Sequence, residues 1–247
     1  MSWKIVGAVA LGFATLLGIS TAARLGGEPG APAATAAVAR MSPTVVSTAE
    51  AFAETGAESP VTDAPIAPRP LEKGKLRPGS YVATRFDPGF TFSVGGGWRT
   101  LGDRPEFVAL ALGKGRDLTV MRAPLYVADP ETSAPVPAPL DMIEWVRSHP
   151  CVEKATRPVP VRIGGNSGTQ LDFAVSSDPS CAHAYWELGG GMVFGFKAGE
   201  QDRLIALSIS AEGSLHQLLV DVSTVDPRRF AAFAKKAATV LDTVAFR

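Results

Sequence analysis

The sequence predicts an antiparallel α+β domain, a β-sheet packed with two helices, over residues 80–247. Three observations carry that class. From Ser80 onward, short runs of aromatic and β-branched residues recur with Gly- or Pro-containing turns between them. These runs are grouped rather than alternating with helices, which excludes a βαβ architecture. Near the C-terminus the apolar spacing changes from two to that of a helix.

Residues 81–86 and 90–94 read as two strands across Asp87-Pro88-Gly89, a turn sequence. Gly95-Gly96-Gly97 bends the chain before Trp98. Residues 106–112 and 117–122 form a hairpin through Gly113-Lys114-Gly115-Arg116. Asp141 is the N-cap of a helix that puts Met142, Trp145, Val146 and His149 on one face, and Pro150 ends it. Strands return at 158–163 and 169–175, either side of Gly164-Gly165. In the second, Leu171, Phe173 and Val175 alternate with Asp172 and Ala174, the pattern of a strand buried on one face. Residues 192–197, 203–210 and 214–222 extend the sheet. Asp226-Pro227 opens the last helix with a cap and a proline at its first position. Phe230, Phe233, Ala234, Ala237, Val240 and Leu241 follow at helical spacing, and 243–246 closes as a short strand.

The segment FTFSVGGGW at 90–98 resembles the opening of PsbP-like domains. The ending RLIALSIS, HQLLVDVS and PRRFAAFAKKAATVLDTVAF resembles their close. Similar domains follow signal peptides in bacterial lipoproteins of the LpqN type. The resemblance implies a PsbP-like sandwich over roughly the same 80–247 span, without enzyme activity or shared catalytic residues. Gly95 stands where such domains often have proline, and no cysteine lies near the leader to carry a lipid.

Residues 1–23 form that leader. No charge occurs between Lys4 and Arg24, Ile5 to Ile19 is nearly all apolar, and Ser20, Thr21, Ala22 and Ala23 are small. This is the pattern of a secretory signal, and residues 5–23 are also just long enough to stay in a membrane as an anchor. Either outcome delivers the rest outside the cytoplasm, secreted or held at the cytoplasmic membrane. Residues 24–79, rich in Ala, Pro, Thr, Ser and Glu, hold too few large apolar groups to offset the entropy of ordering, so they read as a disordered linker. The 24 acidic and 24 basic residues give zero formal net charge without a basic run, which excludes nucleic acid as a partner.

Cys151 and Cys181 are the leading site. An even cysteine count in an exported domain reads as a disulfide, which would stabilise by roughly 3–3.5 kcal/mol through loop closure. The alternative is a zinc site made by His149, Cys151, Cys181 and His183, two H-x-C arms brought together. Ser167, in Gly165-Asn166-Ser167-Gly168, lacks the G-x-S-x-G spacing of a nucleophile elbow and reads as part of a hairpin. A secreted serine hydrolase would have to pair it with His183 or His216. Gly95-Gly96-Gly97 and Gly189-Gly190-Gly191 lack a following G-K-[ST] helix and read as turns. Trp98, Trp145, Tyr185 and Trp186 read as core, with a cleft for an apolar or glycolipid ligand as the second reading. No catalytic residue, metal or cofactor is expected. The functional expectation is an exported or membrane-tethered domain that binds an unidentified envelope partner without catalysis.

Overall fold

The computed structural model describes residues 67–211 and 213–247. The leader of 1–23 and the linker up to 66 lie outside the described residues. The chain opens with β1 (Arg69–Pro70), β2 (Gly74–Lys75), β3 (Gly79–Ala83), β4 (Phe90–Val94), β5 (Arg99–Asp103) and β6 (Phe107–Ala111). It continues through β7 (Arg116–Arg122), β8 (Tyr126–Ala128), β9 (Pro135–Pro137), α1 (Met142–Ser148), β10 (Val152–Glu153) and β11 (Val159–Ile163). The remainder holds β12 (Asn166–Val175), β13 (Tyr185–Glu187), β14 (Val193–Gly195), β15 (Gln201–Ala211), β16 (Ser214–Thr224), α2 (Phe230–Leu241) and β17 (Ala245–Phe246).

The strands make three sheets. A nine-stranded sheet has the order β10-β12-β15-β16-β7-β6-β5-β2, with β11 also paired to β12. Two four-stranded sheets have the orders β1-β3-β4-β17 and β14-β13-β8-β9. The expected α+β sandwich of one antiparallel sheet and two helices, PsbP-like in form, is therefore incorrect. The domain is sheet-rich, and its helices are short, 7 and 12 residues.

The physical reason lies in the middle of the main sheet. Residues 107–112, FVALAL, are buried without interruption. A strand covered on one side alternates, whereas a continuous apolar run is what a strand covered on both sides needs. On one face Val108, Leu110, Leu118, Val120, Ile205, Leu207, Leu218 and Val220 pack with β3, β4 and α2 in a first core. On the other face Phe107, Ala109, Met121, Leu171, Phe173, Leu204 and Leu219 pack with α1, Val127 of β8 and Trp186 of β13 in a second core. The covering strands β8, β9, β13 and β14 have three residues each, too few for a period of two to stand out. Pro135 and Pro137 lie on β9, the edge of its sheet, where a missing N–H breaks no ladder.

The domain also starts earlier than Ser80. Residues 67–79, read as the end of the linker, supply β1 and β2, and Leu71 and Leu76 are buried in the first core. Two apolar residues within Arg69-Pro70-Leu71-Glu72-Lys73-Gly74-Lys75-Leu76 are too few to announce a strand in sequence. β2 is held by its pairing with β5. Among the described residues, no helix is long and apolar enough to cross a membrane.

Candidate functional site

The two cysteines meet at the edge of the second core. Cys151 follows α1, Cys181 lies in a short 3-10 turn at Pro179–His183, and a disulfide joins them with 5.5 Å between their Cα atoms. Pro150 and Pro179 keep both partners out of ladders, so the bond forms between loop ends without disturbing a sheet. Both sulfurs are consumed by this bond, which removes the two thiolates that the zinc alternative requires. His149 is turned to other work as well. It is 5% exposed, its Nδ1 accepts the Cys151 backbone N–H at 3.1 Å, and its ring packs between Trp145 and Phe196. With Nδ1 accepting, the ring proton sits on Nε2, which is buried and without a partner. Burial lowers the imidazole pKa. The side chain of His183 lies outside the described residues.

Ser167 stands in the β11–β12 ladder opposite Arg162, beside the Gly164-Gly165 turn. The register separates it from His216. Gly168 lies opposite Leu207, and His216 opposite Ile209, and both Leu207 and Ile209 face the first core. Ser167 thus points to the opposite face of the main sheet from His216, so that pair cannot act as nucleophile and base. The aromatics do not converge on one cleft either. Trp98 packs on Phe233 in the first core, while Trp186 packs on Phe196 in the second. Between the main sheet and α2 the remaining void is about 10 Å³, less than an apolar ligand needs.

Sequence reasoning missed the strongest electrostatic feature, a row of carboxylates on the second-core face. Leu204, Leu219 and Met121 point into that core, so residues two places along their strands share its face. Register then aligns them. Asp202 of β15 lies opposite Ser223 of β16, which lies opposite Asp117 of β7. One step in, Asp221 lies between Leu204 and Thr119. Glu200, 4% exposed, reaches the same place from the turn before β15 and accepts from Lys197 Nζ at 3.0 Å.

Four carboxyl groups thus share one ammonium. Asp202 is 3% exposed, and neither of its carboxyl oxygens has a hydrogen-bond partner. Desolvation, then repulsion from Asp221 and Glu200, raises its pKa well above the ordinary carboxylate range despite the pull of Lys197. Asp221 is pushed up to about 7 by desolvation and by Glu200, although Lys197 and the Ser223 hydroxyl draw it down. Asp117 is raised by burial against the attraction of Lys197 and Arg99. Burial alone would lower the pKa of Lys197, but Glu200, Asp117 and Asp221 outweigh it and raise the pKa overall.

Chemically, Asp202 and Asp221 are the members of the row that favour the protonated form, because a buried carboxylate crowded by other carboxylates is replaced by its neutral form. Among the described residues, no three His, Cys, Asp or Glu side chains are grouped so as to hold a metal ion. The members of the row, though not their alignment, were visible in the sequence. Asp117, Asp202 and Asp221 each fall two residues from an inward-facing position of a β-type run, in RDLTVM, QDRLIA and LLVDVS.

No protein-family profile and no curated protein matches the chain. Among solved structures it is similar to LpqN, described as involved in cell envelope biogenesis of Mycobacterium tuberculosis. The identity is 11%, the TM-score 0.38, and the match covers 68% of this chain and 84% of that one. It is also similar to a protein from Bacteroides thetaiotaomicron VPI-5482, at 11% identity and TM-score 0.34, over 64% of this chain and 45% of that one. Likenesses of this size carry no conclusion about function.

Proposed function

We propose that this chain is an extracytoplasmic protein of the cell envelope whose domain acts by binding a partner rather than by catalysis. The observation that carries the reading is the Cys151–Cys181 disulfide behind an apolar leader. Disulfides persist in oxidising compartments and are rare in the cytosol, and residues 1–23 have the composition that directs export. Two features of one chain, a leader at its start and a bond near its middle, point to the same compartment for independent reasons. The separation of Ser167 from His216 supports the non-catalytic half, since the one nucleophile–base pair open to test is split across the sheet.

The test is topological. The full chain with a C-terminal reporter active only outside the cytoplasm is expressed in a bacterial host, and its thiols are titrated after denaturation without reductant. The expected result is reporter activity with no reactive thiol. A silent reporter with two reactive thiols per chain would overturn the reading.

A further inference from the structure

One row of side chains crosses six strands of the main sheet with unequal ends. Asp202, Ser223 and Asp117 occupy β15, β16 and β7; Ala111, Arg99 and Lys75 continue the row on β6, β5 and β2. The acids lie at the buried end and the bases at the exposed end. At that end Lys75 stands directly opposite Arg99, two like charges in register, an unfavourable pairing that an anion between them relieves. Among the described residues, no carboxylate forms an ion pair with Lys75, Arg77 or Arg99.

A surface concavity of about 550 Å³ opens beside this pair, lined by Lys75, Leu76, Arg77, Pro78, Gly96 and Gly97. Its rim is cationic and part of its wall is bare backbone. Arg69 fixes the corner, donating from Nη2 to the carbonyls of Arg77 and Pro78 at 3.4 and 3.0 Å while its guanidinium lies over the Tyr81 ring. Gly96 is informative because its turn does not need a glycine. Its φ is not in the left-handed region, and a Cβ there would meet no atom within 4 Å. Gly96 lines the concavity without a side chain, so an anion there can approach the main chain closely. A second open groove, beside α2, differs in kind, since its Arg203 is already held by both carboxylate oxygens of Asp172.

We propose that the concavity bounded by Lys75, Arg77 and Gly96 binds a phosphate-bearing anion, either free or as a lipid headgroup. Two adjacent cations on a fixed corner, one of them directly opposite a third, Arg99, and an open backbone wall together match a compact phosphate oxyanion. This site is independent of where the chain resides, so it stands or falls apart from the function proposed above.

The full chain in nonionic detergent is titrated at low salt with inorganic phosphate, then with micelles doped with phosphatidylglycerol or, for comparison, phosphatidylcholine. The amide resonances of Gly96 and Gly97 are followed. Saturable shifts with phosphate alone assign a free anion, and saturable shifts only with phosphatidylglycerol assign a headgroup; either supports the site. The double variant Lys75→Gln/Arg77→Gln is expected to weaken binding roughly tenfold to thirtyfold. Gly96→Gln, which leaves every charge in place and strains nothing, is expected to weaken it at least tenfold by filling the concavity. No saturable shift with either probe overturns the proposal. So does wild-type affinity in Gly96→Gln, because binding would then follow overall charge and not a built site.

Discussion

The two faces of the main sheet are closed by different chemistry. Over the first core lie β3, β4 and α2, elements of 5 to 12 residues whose contribution is almost wholly apolar, including Phe90, Phe92 and Phe233. Over the second lie α1, of 7 residues, and strands of three residues each. That face also carries buried carboxyls, a buried imidazole and the disulfide. Long elements bury enough area to hold themselves in place, at about 1.5–3 kcal/mol for each large side chain. Short ones do not, and here a covalent bond does part of that work. The second face is where stability depends on redox state and pH.

The largest expected effect lies on the first face. Phe233→Ala removes a fully buried ring from α2 and is expected to cost about 3–5 kcal/mol in denaturant unfolding. A cost below about 1 kcal/mol would mean that α2 is not the main cover of that face. On the second face, Cys151→Ala/Cys181→Ala is expected to cost roughly 3 kcal/mol by restoring the entropy of a loop spanning 30 positions. Loss of both cores together, in one transition, would erase the distinction between the faces.

Part of this contrast was legible beforehand. The apolar spacing of Phe230, Phe233, Ala237 and Val240 marks α2, and parity with compartment marks the cysteine pair. The carboxylate row was not legible as a row. Asp117, Asp202 and Asp221 are brought together by strand register, which no local pattern encodes when β7 pairs with a strand about a hundred residues later. The basic concavity was hidden for a simpler reason. Residues 69–77 look like linker until β2 pairs with β5 and places Lys75 opposite Arg99.

Smaller effects sharpen the pH side. Asp202 and Asp221 have raised pKa values in the fold, so the folded state binds their protons more tightly than the unfolded chain does. Their contribution is fullest below the ordinary carboxylate value of 3.8 and is lost as pH rises through the folded values, for Asp221 about 7. Asp202→Asn keeps the shape and removes one titration. It is expected to raise stability by about 1–2 kcal/mol at pH 8 and to change little at pH 4, read from unfolding midpoints. His149 works in the opposite direction. Its lowered pKa means that stability is present above 6.5 and is lost as pH falls through the folded value, so the midpoint of His149→Phe should fall less on acidification. Smallest is the cap of α1. Asp141 accepts the Glu144 N–H at 2.9 Å, and Asp141→Ala should cost about 1 kcal/mol with fraying confined to α1.

Native-state hydrogen exchange on the oxidised protein and on the same protein treated with reductant tests the contrast most directly. Amides of α1 and β13 are expected to lose protection on reduction, while those of α2 and β4 keep theirs. Equal loss in all four elements would contradict the claim that the disulfide helps to hold the second face and not the first.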